Sequence, residues 1–340
     1  MTSTIPVIDL APFFHGGDAD KRRVARQIDE ACTDIGFFTI VGHGVPEDQM
    51  RRVREVAVEF FALPLDEKMK VQRPPEKVSR GYNWVGDRSV SYSLGKAAPP
   101  DVQEAYAFGP DTPADPAVDG GFVAKMLAPN IWPERPKHFK EVMLGFHEAM
   151  GELASGVLRA MALALGIDEH FFVDKFDRPA RVNRMIRYPA VTEPPLPGQL
   201  RSGEHSDYGA VTFVRGDDTP GGLQVKHRNG GWIEVHPAPG ALVCNLGDLM
   251  MRWTNDHWVS TVHRVAIPPP DAVPQDRISL VSFQSPNPKA IISCIEKCAG
   301  SDGAEKYPPI TCAEFYLGKL MKSAHSRIDA TAADAVAKSA

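Results

Sequence analysis

Eleven histidines are spread through the 340 residues, and one of them opens a His-x-Asp triplet, His205-Ser206-Asp207. On a strand, residues two apart point to the same face, so this imidazole and carboxylate can converge on one ion. His263 lies in a second strand-like run, Val259-Ser260-Thr261-Val262-His263-Arg264-Val265. Two histidines and one carboxylate on one face of an octahedral ion leave three positions open, which is how non-haem Fe(II) takes ligands from outside the protein. Zn(II) accepts the same donors. In a chain with this many histidines, one such triplet by chance is about an even bet, so the triplet alone leaves the metal open. Arg277-Ile278-Ser279 repeats the period-two geometry and is the chain's only Arg-x-Ser. A guanidinium and a hydroxyl on one strand face suit a carboxylate; an ordinary surface Arg is the plainer reading. Tyr188, in Arg187-Tyr188-Pro189, can add a third donor from a neighbouring strand or be a half-buried core tyrosine.

These residues need strands to carry them, and the second half of the chain reads that way. Strand-like runs cover 182–188, 209–215, 222–227, 232–236, 240–245, 259–267 and 277–284. Asn229-Gly230 between two of them is a hairpin signal. A sheet sandwich or barrel is expected, with helices from the first half covering one face. Those helices are read at 19–34 (Val24, Ile28, Ala31 and Cys32 on one face), at 50–61, and from Pro136 to about Leu165, where Gly166 suits a C-terminal cap. Gly36 separates the first helix from a strand at 36–41, and an opening strand covers 5–10. Residues 71–135 carry many Pro, Gly and Asp and read as a long irregular region that shapes a pocket or lid. Thr311-x-x-Glu314 is a capping box for a last helix.

Composition excludes several classes. Hydrophobic residues make up 43% and charged residues 24%, ordinary for a globular protein and wrong for a disordered chain or coiled coil. No apolar run is long enough to span a membrane. The start of the chain lacks a basic cluster before an apolar stretch, so no secretory signal is expected. Lys and Arg are scattered and net charge is −5, so neither nucleic acid nor an anionic membrane is an expected partner. Five cysteines, an odd number, suit free thiols in a reducing cytoplasm. Cys294 and Cys298 lack the second pair a structural zinc site needs.

The ordered set Ile5-Pro6-Val7-Ile8-Asp9-Leu10, Gly36-Phe37-Phe38, Gly42-His43-Gly44-Val45, Arg80-Gly81-Tyr82 and Ile186-Arg187-Tyr188-Pro189 resembles a known family, the isopenicillin N synthase-like 2-oxoglutarate/Fe(II)-dependent oxygenases. His205-Ser206-Asp207-Tyr208-Gly209, Gly221-Gly222-Leu223-Gln224-Val225, Asn245-Leu246-Gly247-Asp248, His263-Arg264-Val265 and Arg277-Ile278-Ser279 continue it, over about 5–325. The resemblance implies a mainly β fold with flanking helices: a double-stranded β-helix, or jelly roll, supported by N-terminal and central α-helices. It implies one oxygenase unit over 1–325, made of a helix-rich region at 1–179, the jelly-roll core at 180–290 and a C-terminal helix region at 291–325, with a flexible tail at 326–340.

By the same resemblance, His205, Asp207 and His263 bind Fe(II), and Arg277, Ser279 and Tyr188 hold the distal carboxylate of the cosubstrate 2-oxoglutarate. O2 then oxidises, by hydroxylation, a small-molecule substrate, with release of succinate and CO2. The competing reading is a 2-oxoglutarate-independent Fe(II) oxidase that closes rings or desaturates. A jelly-roll binding module without chemistry and a zinc hydrolase are the other classes weighed; the intact triad argues against the first. Arg88, Tyr106 and Phe283 are candidate substrate contacts, while solvent exposure or core packing is the plainer account of each. Asn245 and Asn255 are either outer supports of the metal ligands or, on the plainer account, turn residues; Gly221-Gly222 suits a tight turn, and His43 is a loop residue away from the iron. The protein is expected to be a cytoplasmic monomer or homodimer. The resemblance leaves the substrate open, since family members oxidise amino acids, flavonoids, hormones and pyrimidines.

Overall fold

A computed structural model describes residues 4–74, 79–87, 89–96, 98–112, 114–115 and 117–323. The chain opens with β1 (Val7–Asp9), α1 (Ala11–His15), α2 (Asp18–Asp34), β2 (Phe37–Val41), α3 (Glu47–Phe61) and α4 (Leu65–Met69). Next come β3 (Gly81–Asn83), β4 (Glu104–Phe108), α5 (Gly121–Met126) and the long α6 (Phe139–Ala164). Strands then dominate: β5 (Val182–Tyr188), β6 (Ser202–His205), β7 (Val211–Gly216), β8 (Leu223–Lys226), β9 (Trp232–Glu234) and β10 (Leu242–Leu246). After α7 (Asp248–Trp253) follow β11 (His263–Val265), β12 (Arg277–Gln284), β13 (Ile291–Ile292) and β14 (Ile310–Thr311). A helix over 312–323, α8, begins at the expected capping box, where the Glu314 amide donates to Thr311 Oγ1 at 3.2 Å and the Thr311 amide to Glu314 Oε2 at 2.9 Å.

Two sheets make the core. The large one has the order β1-β2-β10-β7-β12-β5-β4-β3 and the small one β6-β11-β8-β9. Every pairing in them is antiparallel except β1 with β2. Alternation sorts the residues of the large sheet. On β12, Ile278 and Leu280 join the apolar cluster with α2, α3 and α6, while Val281 packs with Ile186, Tyr188 and Val265 on the other side. Phe37 on β2 meets Val225 and Val243 in the same inter-sheet space. The inner face therefore looks at the small sheet and the outer face is roofed by helices, a jelly roll with a helical layer. The helix-facing cluster draws on residues from Ile8 to Ala313.

The helix pattern legible in the sequence has a simple cause. Val24, Ile28, Ala31 and Cys32 of α2 are buried, as are Val53, Ala57, Phe60 and Phe61 of α3. Gly36 ends α2 at φ 67°. A side chain there would place Cβ 2.0 Å from the Val259 carbonyl oxygen, so glycine is required both by conformation and by the close approach.

The region 71–135 is less irregular than expected. It supplies β3 and β4, which extend the large sheet through Tyr106↔Met185 and Tyr82↔Tyr106. These strands are short and separated by about twenty residues, too far apart to read as a hairpin. Tyr106 is consequently no substrate contact. Its register puts it on the helix-facing side, fully buried among Phe60, Phe108, Trp132 and Phe139. Its hydroxyl donates to the Ile131 carbonyl at 2.7 Å. On the same strand, buried Glu104 accepts from Lys68 at 2.7 Å, Tyr82 at 2.5 Å and Arg187 at 2.6 Å. Arg187 donates onward to Asp276 at 2.7 Å, which anchors the start of β12. Arg88 and the tail at 326–340 lie outside the described residues. Among those described, no helix is long and apolar enough to cross a membrane.

Candidate metal centre and cosubstrate pocket

The small sheet brings the two histidines together. β6 and β11 pair so that His205 and His263 are opposite one another, with ring centroids 4.3 Å apart. A register shift between His263 and Val265 marks a bulge beside them, a common device for aiming a side chain near a functional site. Asp207 comes into place differently from the strand expectation. β6 ends at His205, and Ser206 and Asp207 run on outside it. The Asp248 amide at the start of α7 donates to the Asp207 carbonyl at 2.7 Å and the Leu249 amide to Tyr208 at 3.2 Å. The helix start, rather than strand alternation, sets the carboxylate's position.

Asp207 Oδ1 lies 3.9 Å from His205 Nε2 and 3.8 Å from His263 Nε2. One ligand atom from each of the three residues lies within 4.8 Å of the others, and this is the one such cluster of three or more metal-binding side chains among the described residues. Asp207 Oδ2 accepts from Thr212 Oγ1 at 2.6 Å and Asn245 Nδ2 at 2.7 Å. One carboxylate oxygen is thus tied down and the other is left facing the imidazoles. Asn245 holds this carboxylate, which is the outer-support alternative and not the plainer turn account. Asn255, by contrast, is a loop clamp, donating to the Cys298 and Ala304 carbonyls. His43 bonds the Gly240 carbonyl, as a loop residue should.

Protonation suits a cation. His205 Nδ1 lies 2.8 Å from the Gly203 carbonyl and His263 Nδ1 3.1 Å from that of Thr261. Each Nδ1 donates, so each Nε2 keeps its lone pair for an ion. Burial first, and then His263, pushes the His205 pKa down to about 4, so the ring is neutral near pH 7. Burial raises the Asp207 carboxyl, but His263, His205, Asn245 and Thr212 outweigh it and its pKa is lowered. Two imidazoles that present Nε2 and one carboxylate form an oxygen- and nitrogen-donating set that fits Fe(II).

The second constellation lies on the inner face of the large sheet. Arg277 and Ser279 sit two apart on β12, and Tyr188 of β5 is the direct partner of Arg277. All three are buried. Arg277 Nη1 donates to the Asp217 carbonyl and, at 3.2 Å, to the Thr219 carbonyl. Its Nε is buried with no partner among the described residues. The neighbouring carboxylates Asp217 and Asp276 pair instead with Arg54 and Arg187. A buried guanidinium with a spare donor beside two hydroxyls fits the carboxylate of a 2-oxo acid. Burial pushes the Tyr188 hydroxyl up to about 12, with Arg277 opposing, so it remains a neutral donor.

Gly216 of β7 faces the same group. An added Cβ would come 2.6 Å from Arg277 Nη2 and 3.4 Å from Ser279 Oγ. Gly216→Ala is therefore expected to keep the fold but displace the guanidinium, raising the KM for 2-oxoglutarate about tenfold with a smaller change in kcat. Steady-state kinetics at saturating substrate would check the split. Phe283 shares the β12 face of Arg277, Ser279 and Val281, and packs against the cluster of Ile186, Tyr188 and Val265. Thr212 is hidden in the sequence: it is one hydroxyl in an apolar run, and only the β7 register against β10 turns it toward Asp207.

Known proteins carry the same frame. Residues 5–135 match the family model described as non-haem dioxygenase in morphine synthesis N-terminal, and residues 178–286 match the 2OG-Fe(II) oxygenase superfamily. The chain is 33% identical over 334 residues to homoarginine-6-hydroxylase 2-ODD-233 of Oryza sativa subsp. japonica, covering 93% of this chain and 96% of that protein. It is 34% identical to the 2-oxoglutarate-Fe(II) type oxidoreductase hxnY of Emericella nidulans, covering 94% and 90%. A full-length Neurospora crassa protein, solved in complex with alpha-KG (2-oxoglutarate), superposes with a TM-score of 0.83 at 33% identity, over 93% of this chain and 96% of that one. Fold, donor set and relatives agree along nearly the whole length, and the chain belongs to the 2OG-Fe(II) oxygenase superfamily, as an oxidoreductase that uses Fe(II), 2-oxoglutarate and O2.

Proposed function

We propose that this enzyme hydroxylates a small nitrogen-containing molecule, with His205, Asp207 and His263 as the iron ligands and Arg277, Ser279 and Tyr188 as the anchor for the distal carboxylate of 2-oxoglutarate. The observation that carries it is the convergence of the three ligand atoms within 4.8 Å, together with a buried guanidinium whose Nε has no partner among the described residues. When bound, iron and 2-oxoglutarate supply the oxidising chemistry from O2 and release succinate and CO2.

The chain's own residues bind, orient and exclude water. His205 and His263 present Nε2, and Asp207 presents the oxygen that Thr212 and Asn245 leave free. Arg277 places a buried positive charge on the inner face of the large sheet, and the Tyr188 and Ser279 hydroxyls orient the carboxylate it attracts. Ile186, Val281 and Phe283 give the inner face an apolar lining that keeps water from the reacting carbon. Phe283 stands with this lining as a substrate contact. The substrate class is supported by relatives whose names specify homoarginine and by the Neurospora crassa structure solved with thymine. The span 1–325 acting as one oxygenase unit fits an apolar cluster that joins Ile8 to Ala313.

The test is a panel of ω-amino or guanidino amino acids and pyrimidines, incubated with the purified full chain, Fe(II), 2-oxoglutarate and O2. One panel member should yield a product heavier by one oxygen atom, with succinate in equal amount. An oxidised product without succinate would contradict the proposal and point to the 2-oxoglutarate-independent oxidase.

A further inference from the structure

Asp101 is a buried carboxylate outside both constellations, and its two oxygens face in different directions. Oδ1 accepts from the Gly203 amide at 3.0 Å. Oδ2 accepts from the Val90 amide at 3.0 Å and from Gln103 Nε2 at 3.2 Å. Gly203 continues the first connection, because its carbonyl is the acceptor of His205 Nδ1 at 2.8 Å. A line of hydrogen bonds therefore runs from Asp101 through one residue's backbone to the imidazole. The Val90 amide belongs to the 3-10 turn Val90–Leu94, which rests directly on β6. At Gly203 an added Cβ would be 2.3 Å from Ser91 Oγ and 3.2 Å from Asp101 Oδ1, so the turn sits where any side chain would stand. Ser89 and Ser91 are themselves buried.

We propose that Asp101 is a positioning residue for the metal centre: it fixes the Gly203 backbone that orients His205, and it ties the Val90–Leu94 turn to that same backbone. The proposal rests on the iron-ligand reading of His205 given above. The Gly203 N–H and C=O belong to adjacent peptide groups joined at one Cα, so Asp101 acts by holding that backbone in place. The Gly203 carbonyl then meets the Nδ1 proton at a fixed place, and Nε2 stays aimed. Outer partners of this kind typically alter metal affinity by about 10- to 100-fold when removed. The connection to the 3-10 turn adds a consequence: a molecule that presses on residues 89–96 also presses on the backbone that aims His205.

The experiment is anaerobic titration of the metal-free full chain with Fe(II), and with Co(II) as a second probe, combined with amide hydrogen exchange. Asp101→Ala should weaken binding of either ion about tenfold or more and speed exchange in peptides covering 89–96. Lys96→Ala, which breaks only the more exposed pair with Glu204, should bind the ions within about twofold of the parent. Wild-type affinity in a folded Asp101→Ala would overturn the proposal. Asp101→Asn decides the matter if the alanine variant does not fold. Asn has one acceptor oxygen for donors on two sides, so it must lose either the Val90 tie, seen as faster exchange, or the Gly203 tie, seen as weaker affinity. A variant unchanged in both overturns the proposal. A parent chain that binds neither ion would instead overturn the iron-ligand reading itself.

Discussion

Asp207→Asn is expected to lose iron and activity as completely as Asp207→Ala, although Asn has almost the same shape. The reason lies in the partners of Oδ2. Thr212 Oγ1 and Asn245 Nδ2 both donate to that oxygen, at 2.6 and 2.7 Å. An Asn at 207 must turn its single carbonyl oxygen toward these two donors, because its NH2 there would face donors on both sides. The NH2 group is then left toward His205 and His263, where it has no lone pair to offer a cation. The variant also lacks the one negative charge in the ligand set. A loss of about 4 kcal/mol or more in metal binding, roughly a thousandfold, is expected. Anaerobic Fe(II) titration and succinate formation would measure it, and thermal melting would show that the fold persists. Iron affinity within tenfold of the parent would refute the ligand role of Asp207.

Arg277→Met is the second large effect. Methionine fills much of the same volume, so the β12 strand and its pairing with β5 and β7 should stand. What disappears is the buried charge that lies beside Ser279 and Tyr188. Truncating one side of a buried charge-assisted contact costs about 2–5 kcal/mol, so the KM for 2-oxoglutarate should rise a hundredfold or more while Fe(II) affinity stays near the parent value. Arg277→Lys should recover only part of this. A lysine supplies the charge but not the planar fork, and one ammonium must also serve the Asp217 and Thr219 carbonyls. A KM within about threefold of the parent for the methionine variant would mean that the distal carboxylate binds elsewhere.

The legible and hidden parts of this protein divide by the range of the physics involved. Strands 182–188 and 277–284 are readable to the residue, because alternation is a local property of the chain and both flank turn-forming residues. The α2 to β2 switch is readable at Gly36 for the same reason. Strand β4 is not readable, since its five residues are stabilised by partners about eighty residues away in β5. Tyr106 shows the related limit of period-two reading: alternation divides a strand into two faces without saying which is roofed by helices and which lines the cavity. For Asn245 local spacing leaves a turn role and a supporting role both open, because its partner Asp207 is 38 residues distant.

By itself the sequence determined the donor types, two imidazoles, one carboxylate, one guanidinium and two hydroxyls; its strand periods pointed to a sandwich or barrel, and the family resemblance of its ordered motifs implied the jelly roll. Tertiary structure alone decided how they are used. It set Asp207 beyond the end of its strand by hydrogen bonds from the start of α7, chose which carboxylate oxygen stays free, and laid Asp101 against the backbone that aims His205. The physical reason is that side-chain identity and backbone period are carried by neighbouring residues. Register, facing and hydrogen-bond choice depend on groups that meet only when the sheets close.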